Sequence, residues 1–362
     1  MSERLVIEPN CKFAILVVNL VRVDVPENLV LQDGTRVLRA WPLAVNSPWK
    51  EWLGSNTLGK LQSCNLFLLR TATTGWPMGQ LNVSGDAIST RLQAEVGRLF
   101  AMLRLLGTIE YDEAFVLSGY VENGDPVCRH FGRTERFQIT RGYLPWVIRE
   151  ADLRTAVQLC QAYSVLPGFP GSKGWRFGRG CAALKAALEQ FYASDRLHGF
   201  VRSLEALILP APGRTEKDFV SRCALIAGPK AAEAAVRAVM LEAYRMRCDI
   251  EHMHDWDRSL ERYAPADREK IALWRTRQME ALACAAYRAI ILDPRLEIHF
   301  RDDASIAAFW KKSDDEIRAA FGDISDITQL KIVNNWEQFG RAAASEWPPE
   351  LFEHLRPKAR SA

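Results

Sequence analysis

The sequence predicts an α+β N-terminal domain followed by an all-α helical bundle. Strand-like and helical segments alternate over the first 165 residues, a stretch rich in glycine and proline follows, and only helical patterns remain after residue 180. The length of 362 residues fits two domains. Hydrophobic residues make up 48% of the chain and charged residues 25%, a balance that supports a buried core and excludes a mainly disordered chain.

The N-terminal part, residues 1–165, is interpreted as a mixed α+β domain. Its strand-like segments are short apolar runs bounded by turn residues, such as Asp33-Gly34, and its helical segments repeat apolar residues three and four positions apart. Residues 123–126 predict a hairpin turn beside Cys128 and His130. The predicted strands cover residues 13–18, 65–69, 114–121 and 136–140, and the predicted helices cover 86–106 and 151–163.

The stretch of residues 166–180 holds two prolines and five glycines, which predicts a linker between domains. The same stretch interleaves Lys173, Arg176 and Arg179 with Trp175 and Phe177, a pattern that would also suit a loop contacting RNA. The linker is the favoured interpretation. The pattern of a phosphate-binding Walker A loop is absent from it.

After the linker, helical patterns follow one another with short turns between them, which predicts an antiparallel bundle. Residues 181–300 are interpreted as the helical domain and residues 301–362 as a C-terminal helical extension. The predicted helices cover residues 181–193, 195–209, 215–227, 229–253, 266–292, 303–320 and 328–344.

Charge, cysteine usage and hydropathy bear on the cellular setting. The formal net charge is only +3, so any surface that binds nucleic acid has to be a local patch. Eight cysteines occur singly and without a CxxC pair, which is typical of reduced thiols. With no apolar run near 20 residues and no secretion signal visible, we expect a cytoplasmic protein with no membrane contact.

The most informative segment is the predicted helix that ends near residue 253. Its apolar stripe includes Val239, Ala243 and Ile250, and Arg247 falls on that stripe. A guanidinium on the core-facing side of a helix loses its hydration. The cost of that loss has to be offset by an anionic partner. Either a carboxylate such as Glu205 or Glu251 pairs with Arg247, or the arginine serves a functional anion.

The segment also carries a family resemblance. Arg247 and His252 in Ala-Tyr-Arg-Met-Arg-Cys-Asp-Ile-Glu-His resemble the Arg-x4-His motif of the HEPN superfamily, at the end of a bundle helix. Residues 197–207 resemble the helix that precedes the core in the Apea-like branch of that superfamily, and residues 219–227 resemble the helix that follows it. The resemblance covers about residues 180–295.

The resemblance implies a homodimer in which two Arg/His pairs form one composite cleft. It implies a metal-independent endoribonuclease without a cofactor. Such an enzyme would cleave RNA, for example tRNA, through attack of a 2′-hydroxyl. Its role would lie in anti-phage defence, toxin systems or the stress response. His252 would take the acid–base role and Arg247 would bind the phosphate. The domain of residues 1–165 would sense a trigger, select RNA or restrain the nuclease, with an antitoxin as a conceivable partner. Residues that could support the pair are Asp249, Arg245, His254 and Glu205.

Two alternatives stay open. The sequence departs from the motif at Cys248, where Asn, Asp or His is usual, and at Met253, where Gly is frequent. An inactive member of the superfamily would be a dimeric scaffold that binds RNA or a nucleotide. Cys248, Asp249, His252 and His254 are also metal-ligand types, which keeps a metallohydrolase in consideration, although no metal site is predicted.

Candidate RNA contacts outside the motif are weaker. Trp256 and Trp274 are the tryptophans near the motif that could stack on bases, and Lys173 and Arg176 could contact the backbone. The arginines at positions 258–277 are interpreted as a solvated helix face because acids are interleaved with them. Their positions are Arg258, Arg262, Arg268, Arg275 and Arg277.

Overall fold

The computed structural model divides the chain into two compact units. One consists of residues 1–104, 108–139 and 145–161, and the other of residues 105–107, 140–144 and 162–362. None of the helices in the described part of the chain is long and apolar enough to cross a membrane. The structure describes residues 7–8, 10–20, 22–73, 84–107, 109, 111–133, 147–164, 174–190, 192–322, 326–330, 333–334 and 345–346.

An antiparallel sheet of six strands organises the first unit. Its strands are β1 (Cys11–Leu20), β3 (Asn28–Val30), β4 (Arg36–Leu38), β5 (Leu66–Thr73), β6 (Tyr111–Glu122) and β7 (Asp125–Arg133). They lie in the order β3-β4-β5-β1-β6-β7, so β1 is central and both its neighbours run antiparallel to it. Two further short strands, β2 (Val23–Asp24) and β8 (Ile148–Arg149), pair in parallel.

Helices cover both faces of this sheet. Alternate side chains of β1, among them Phe13 and Ile15, form one core with Trp49 and Leu61 of α1 (Ser47–Ser63). The opposite face meets α2 (Ser84–Arg104), where the Gln93 side-chain amide donates to Ser118 Oγ at 2.5 Å. A third helix, α3 (Glu150–Ser164), buries Leu153, Ala156, Val157 and Leu159.

Most predicted elements of the first unit are confirmed. The strands at 13–18, 65–69 and 114–121 correspond to β1, β5 and β6, and the helices at 86–106 and 151–163 correspond to α2 and α3. The turn at Asp33-Gly34 holds Gly34 at φ +84°, and the hairpin turn between β6 and β7 has positive φ at Asn123 and Gly124. The strand predicted at 136–140 lies outside the described residues. The sequence analysis missed α1.

The second unit is helical. Its longest helix, α8, is central and has sixteen buried residues, because apolar side chains occur on every side of it. Two short strands, β9 (Val333–Asn334) and β10 (Ser345–Glu346), pair near the C-terminus. The helices are α4 (Trp175–Glu189), α5 (Ala193–Ile208), α6 (Thr215–Ile226), α7 (Glu233–Glu251), α8 (Pro265–Leu292), α9 (Pro294–Glu297), α10 (Asp303–Phe309) and α11 (Asp314–Phe321).

Three predicted boundaries in this unit were wrong. α4 begins at Trp175, so the end of the predicted linker is helical, and residues 165–173 lie outside the described residues. The helix predicted at 303–320 is two helices, because a capping box formed by Ser313 and Glu316 starts α11. The helix predicted at 328–344 is wrong at its start, where a 3-10 turn of residues 327–329 precedes β9; residues 335–344 lie outside the described residues.

Small residues allow α4 and α5 to pack closely, with α8 beside them. A Cβ added at Gly180 would lie 1.8 Å from the Tyr287 hydroxyl and 2.8 Å from the Ala206 Cβ. One added at Gly199 would lie 2.6 Å from the Ala187 Cβ. The Tyr287 hydroxyl donates to the Ser203 carbonyl at 2.8 Å and cannot move without breaking that bond.

We therefore expect Gly180→Ala to destabilise the protein by roughly 1–3 kcal/mol, the usual cost of overpacking a dense core. Gly59→Ala in α1 is the matched control, because a Cβ there meets nothing within 4 Å. That change should be neutral or slightly stabilising, since alanine favours a helix over glycine. Thermal unfolding of both variants checks this, and equal melting temperatures would contradict the close packing.

A buried network of charges joins α7 to α8. The Arg275 side chain is fully buried, and its Nε donates to Glu242 Oε2 at 2.7 Å. Arg262 contacts the other Glu242 oxygen at 2.5 Å, and the Tyr263 hydroxyl donates to Glu242 at 3.2 Å. Gln278 accepts from Arg275 at 2.9 Å. The interpretation of Arg275 as part of a solvated face was therefore wrong.

Candidate functional site

The end of α7 positions the predicted pair. Val236, Val239 and Ala243 are fully buried and fix one side of the helix against the core. The helix ends at Glu251, and the backbone N–H of His252 donates to the Cys248 and Asp249 carbonyls. Met253 then adopts the left-handed conformation with φ +57°, which turns the chain away from the helix axis.

Arg247 lies between two carboxylates. Its side chain is 13% exposed, its Nη2 contacts Glu205 Oε2 of α5 at 3.3 Å, and its Nη1 forms a close ion pair with Glu251 one turn along α7. The predicted pairing with Glu205 or Glu251 is thus confirmed, and Arg247 uses both. Its guanidinium also lies 6.0 Å from the centre of the Tyr244 ring. Among the described residues, nothing accepts a hydrogen bond from its buried Nε.

Burial dominates the electrostatics around Arg247. It raises the pKa of Glu205, and the nearby Arg247 lowers that pKa only in part. It also raises the pKa of Tyr244 to about 12, so this phenol is neutral near pH 7 and can donate a hydrogen bond. Arg247 is thus held by one half-buried carboxylate, Glu205, and by one more exposed carboxylate, Glu251.

His252 lies in a different environment from Arg247. It is exposed at the C-terminal end of α7, beside an exposed Met253 and an exposed His254. The ring centres of the two histidines are 6.4 Å apart. Within one chain, the described contacts include no hydrogen bond or ion pair between Arg247 and His252.

The predicted supporting residues have other partners. Arg245 makes an exposed ion pair with Glu216 of α6 at 3.4 Å. The Asp249 carboxylate accepts a short hydrogen bond from the Ser259 hydroxyl, and its backbone carbonyl accepts from the His254 N–H at 2.8 Å. Asp249 therefore fixes the turn after α7, and of the four supporting residues only Glu205 contacts Arg247.

Arg247 lines an open groove of about 1180 Å³. Residues of α4, α5, α6, α7 and α10 form the walls, and the groove contains four arginines and three acids. Arg176 is bound through two hydrogen bonds of 2.9 and 3.0 Å to Asp303. The charged lining residues are Arg176, Arg179, Arg202, Arg247, Glu205, Glu251 and Asp303.

Of the predicted RNA contacts, some line the groove and others do not. Arg176 lines the groove, whereas Trp256 is not among the described lining residues. Lys173 lies outside the described residues. Trp274 is 1% exposed and donates to the Leu330 carbonyl at 3.2 Å, so its predicted availability for base stacking was wrong. Trp175, named above only within a possible RNA-contacting loop, is an exposed aromatic residue of α4 that lines the groove.

His198 of α5 was not predicted as a residue of the site. Burial lowers its pKa below the ordinary value of 6.5, and the positive charges of Arg247 and Arg202 lower it further, against an opposing effect of Glu251. Its Nδ1 is buried, and none of the described residues forms a hydrogen bond with it. A helical pattern alone could not indicate this position, because the charges that act on His198 come mainly from α7.

His198 makes stability depend on pH. Because its folded-state pKa is lowered, the unfolded chain takes up a proton near pH 6.5 while the folded protein does not. The contribution of neutral His198 to stability is complete above pH 6.5 and is lost as pH falls toward its folded-state pKa. We expect His198→Gln to lose less stability than wild type between about pH 7.5 and 5.5. Urea midpoints across this range test it, with the exposed His130→Gln as control; parallel curves for wild type and His198→Gln would contradict it.

No three His, Cys, Asp or Glu side chains come together in the described part of the chain as a group that could hold a metal ion. Cys248, Asp249, His252 and His254 are near one another in sequence, but Asp249 is directed at Ser259. Comparisons with family models, with curated proteins and with solved structures found no match to this chain.

Proposed function

We propose that the protein is a metal-independent endoribonuclease of the HEPN type that acts as a homodimer. The observation that carries the proposal is the position of Arg247 in the wall of an open groove that holds three further arginines. The exposed His252 caps the same helix. An arginine-rich groove, together with an exposed imidazole at the end of the helix that carries Arg247, suits the binding and cleavage of a phosphodiester. In this proposal the enzyme acts in phage defence or a stress response.

Arg247 would bind the scissile phosphate in place of one of its two carboxylate partners. Glu251 is 46% exposed, so its carboxylate can return to water when a phosphate takes its place on Arg247. Glu205 is less exposed and would keep orienting the guanidinium from the opposite side. The unpartnered Nε adds hydrogen-bonding capacity to the arginine.

The reaction would use the 2′-hydroxyl of the RNA itself. The 2′-oxygen attacks the adjacent phosphorus and its proton passes to a base, while the bond from phosphorus to the 5′-oxygen breaks and that oxygen receives a proton from an acid. The products are a 2′,3′-cyclic phosphate and a 5′-hydroxyl. Imidazole titrates near neutral pH and can serve as base or acid. A second copy of the chain would bring its own His252 and Arg247 to a composite cleft.

Purified full-length protein incubated with total RNA or tRNA in excess EDTA tests this proposal. Wild type should cleave, and the double variant Arg247→Ala/His252→Ala should not. The matched control is Arg237→Ala/His130→Ala, since Arg237 lies on α7 with an i,i+4 glutamate partner and His130 is exposed on β7. Cleavage by the Arg247/His252 variant equal to wild type would rule out this site.

A non-enzymatic dimeric scaffold that binds RNA or a nucleotide is the second candidate. Two observations favour it: both terminal nitrogens of Arg247 are engaged by carboxylates, and Cys248 replaces the polar residue expected after the motif arginine. If wild type is inactive, Cys248→Asn should confer cleavage that Cys248→Ala does not. Cleavage by wild type and an unchanged rate in Cys248→Asn would contradict this second reading.

A further inference from the structure

The groove has an aromatic residue at its α4 end. Trp175 is the first residue of α4, lines the groove and is 40% exposed. Arg179, one helical turn later, places its guanidinium 5.3 Å from the centre of the Trp175 ring. This cation–π contact orients the indole and leaves part of its surface exposed. Tryptophan is enriched at binding interfaces because its large apolar ring carries a polar N–H group.

Two arginines of the groove form no ion pair with a described residue. Arg176 is bound to Asp303, and Arg247 is bound to Glu205 and Glu251. In contrast, the described contacts give neither Arg179 nor Arg202 an ion pair or a hydrogen bond, and both are exposed. Their positive charges are thus available to an anion in the groove, one from α4 and the other from the neighbouring α5.

We propose that Trp175, Arg179 and Arg202 form a subsite for one unpaired nucleotide of single-stranded RNA. The base stacks on the indole of Trp175, and Arg179 and Arg202 bind the adjoining phosphate. Stacking on a side chain requires a base that is not held inside a duplex, so the subsite selects single-stranded segments. The open groove continues from there to Arg247, which favours a strand over an isolated nucleotide. This inference rests on the proposed function, since it places the strand at the same groove.

Binding of an RNA that cannot be cleaved tests the subsite separately from catalysis. A fluorescent 2′-O-methyl oligonucleotide lacks the attacking hydroxyl, so its affinity for the full-length protein is measured whether or not the protein is a nuclease. We expect Trp175→Ala to weaken binding by about 5- to 150-fold, the range for loss of one stacked base. Trp175→Phe should retain most of the affinity.

The controls separate stacking from general effects. Trp52→Ala removes a tryptophan of α1 that lies outside the groove and is 52% exposed, and it should leave binding unchanged. Arg179→Gln/Arg202→Gln should weaken binding and flatten its salt dependence, because fewer counterions are released. A duplex of the same sequence should bind more weakly than the single strand and be insensitive to Trp175→Ala.

Equal affinity of wild type and Trp175→Ala for the single strand would overturn the subsite. The subsite would also be overturned if the duplex bound as tightly as the single strand and lost the same affinity in Trp175→Ala. A different outcome is expected if the subsite is real but the protein is not a ribonuclease. In that case wild type binds the 2′-O-methyl strand with the expected dependence on Trp175 but cleaves no RNA. Conversely, RNA cleavage with an affinity independent of Trp175 would remove only the subsite.

Discussion

Replacing His252 by alanine should lower the rate of RNA cleavage by about 10²- to 10⁴-fold, the usual contribution of a positioned acid–base group. The side chain is exposed at the end of α7, and its backbone N–H rather than its imidazole caps the helix. The substitution should therefore leave folding unchanged, because exposed positions without structural contacts tolerate alanine within about 0.5 kcal/mol.

The measurement is the initial cleavage rate at several pH values, together with the melting temperature. His130→Ala is the matched control for an exposed histidine and should keep both values. If His252→Ala lost activity in proportion to a lowered melting temperature, the histidine would have a structural role. An unchanged rate would exclude His252 from the reaction.

Glu242→Ala should destabilise the helical unit by about 3–5 kcal/mol, since it leaves a buried charge without its partner. Arg275 is fully buried, and among the described residues its remaining hydrogen-bond partners would be two neutral groups, Gln278 and the Tyr263 hydroxyl. A guanidinium in this environment loses its hydration without compensation. Arg262 would lose its buried partner as well, although it is partly exposed and can reach water.

Glu233→Ala is the matched control for this second prediction. Glu233 also lies on α7 and contacts two arginines, Arg237 at 2.7 Å and Arg318 at 2.8 Å, but it is partly exposed. Its loss should cost less than the loss of Glu242, because Arg318 keeps the Leu225 and Gly228 carbonyls as acceptors and Arg237 can reach water. Urea unfolding of the full chain at pH 7 compares the two variants. Equal shifts of the midpoint would contradict a special role for the buried network.

The contrast between β1 and α1 shows what the sequence can predict about the first unit. β1 was predicted because its sequence is a long apolar run. The run is apolar because the strand is buried on both faces of the sheet. α1 was missed because it buries only Trp49, Leu58 and Leu61, and a kink at Gly54 interrupts any helical spacing between them. The packing of these few side chains against the sheet, which is not local in sequence, stabilises α1.

The start of α4 illustrates a different failure. Glycine disfavours a helix, so residues 174–180 were interpreted as linker. In the structure Gly180 is needed in the helix because Tyr287 and Ala206 occupy the space of its missing side chain. Tertiary packing overrides the local preference there, so Trp175 and Arg179 lie on a helix that lines the groove and not in a loop.

The candidate site was predictable where its residues lie on one helix. The apolar stripe of α7 placed Arg247 toward the core and required an acidic partner, and both acids named from the sequence contact it. Glu205 was named although it lies on another helix, whereas the buried partner of Arg275 was not predicted. Arg275 was assigned to a solvated face because its partner Glu242 belongs to another helix, α7.

The most direct test of the central claim is the chemistry of the cleaved ends. Full-length protein is incubated with a defined RNA in excess EDTA, and the fragment termini are identified by enzymatic labelling and mass spectrometry. Attack by the 2′-hydroxyl predicts 2′,3′-cyclic phosphate and 5′-hydroxyl ends that require both Arg247 and His252. Fragments with 3′-hydroxyl and 5′-phosphate ends, or cleavage that survives the double substitution, would contradict it.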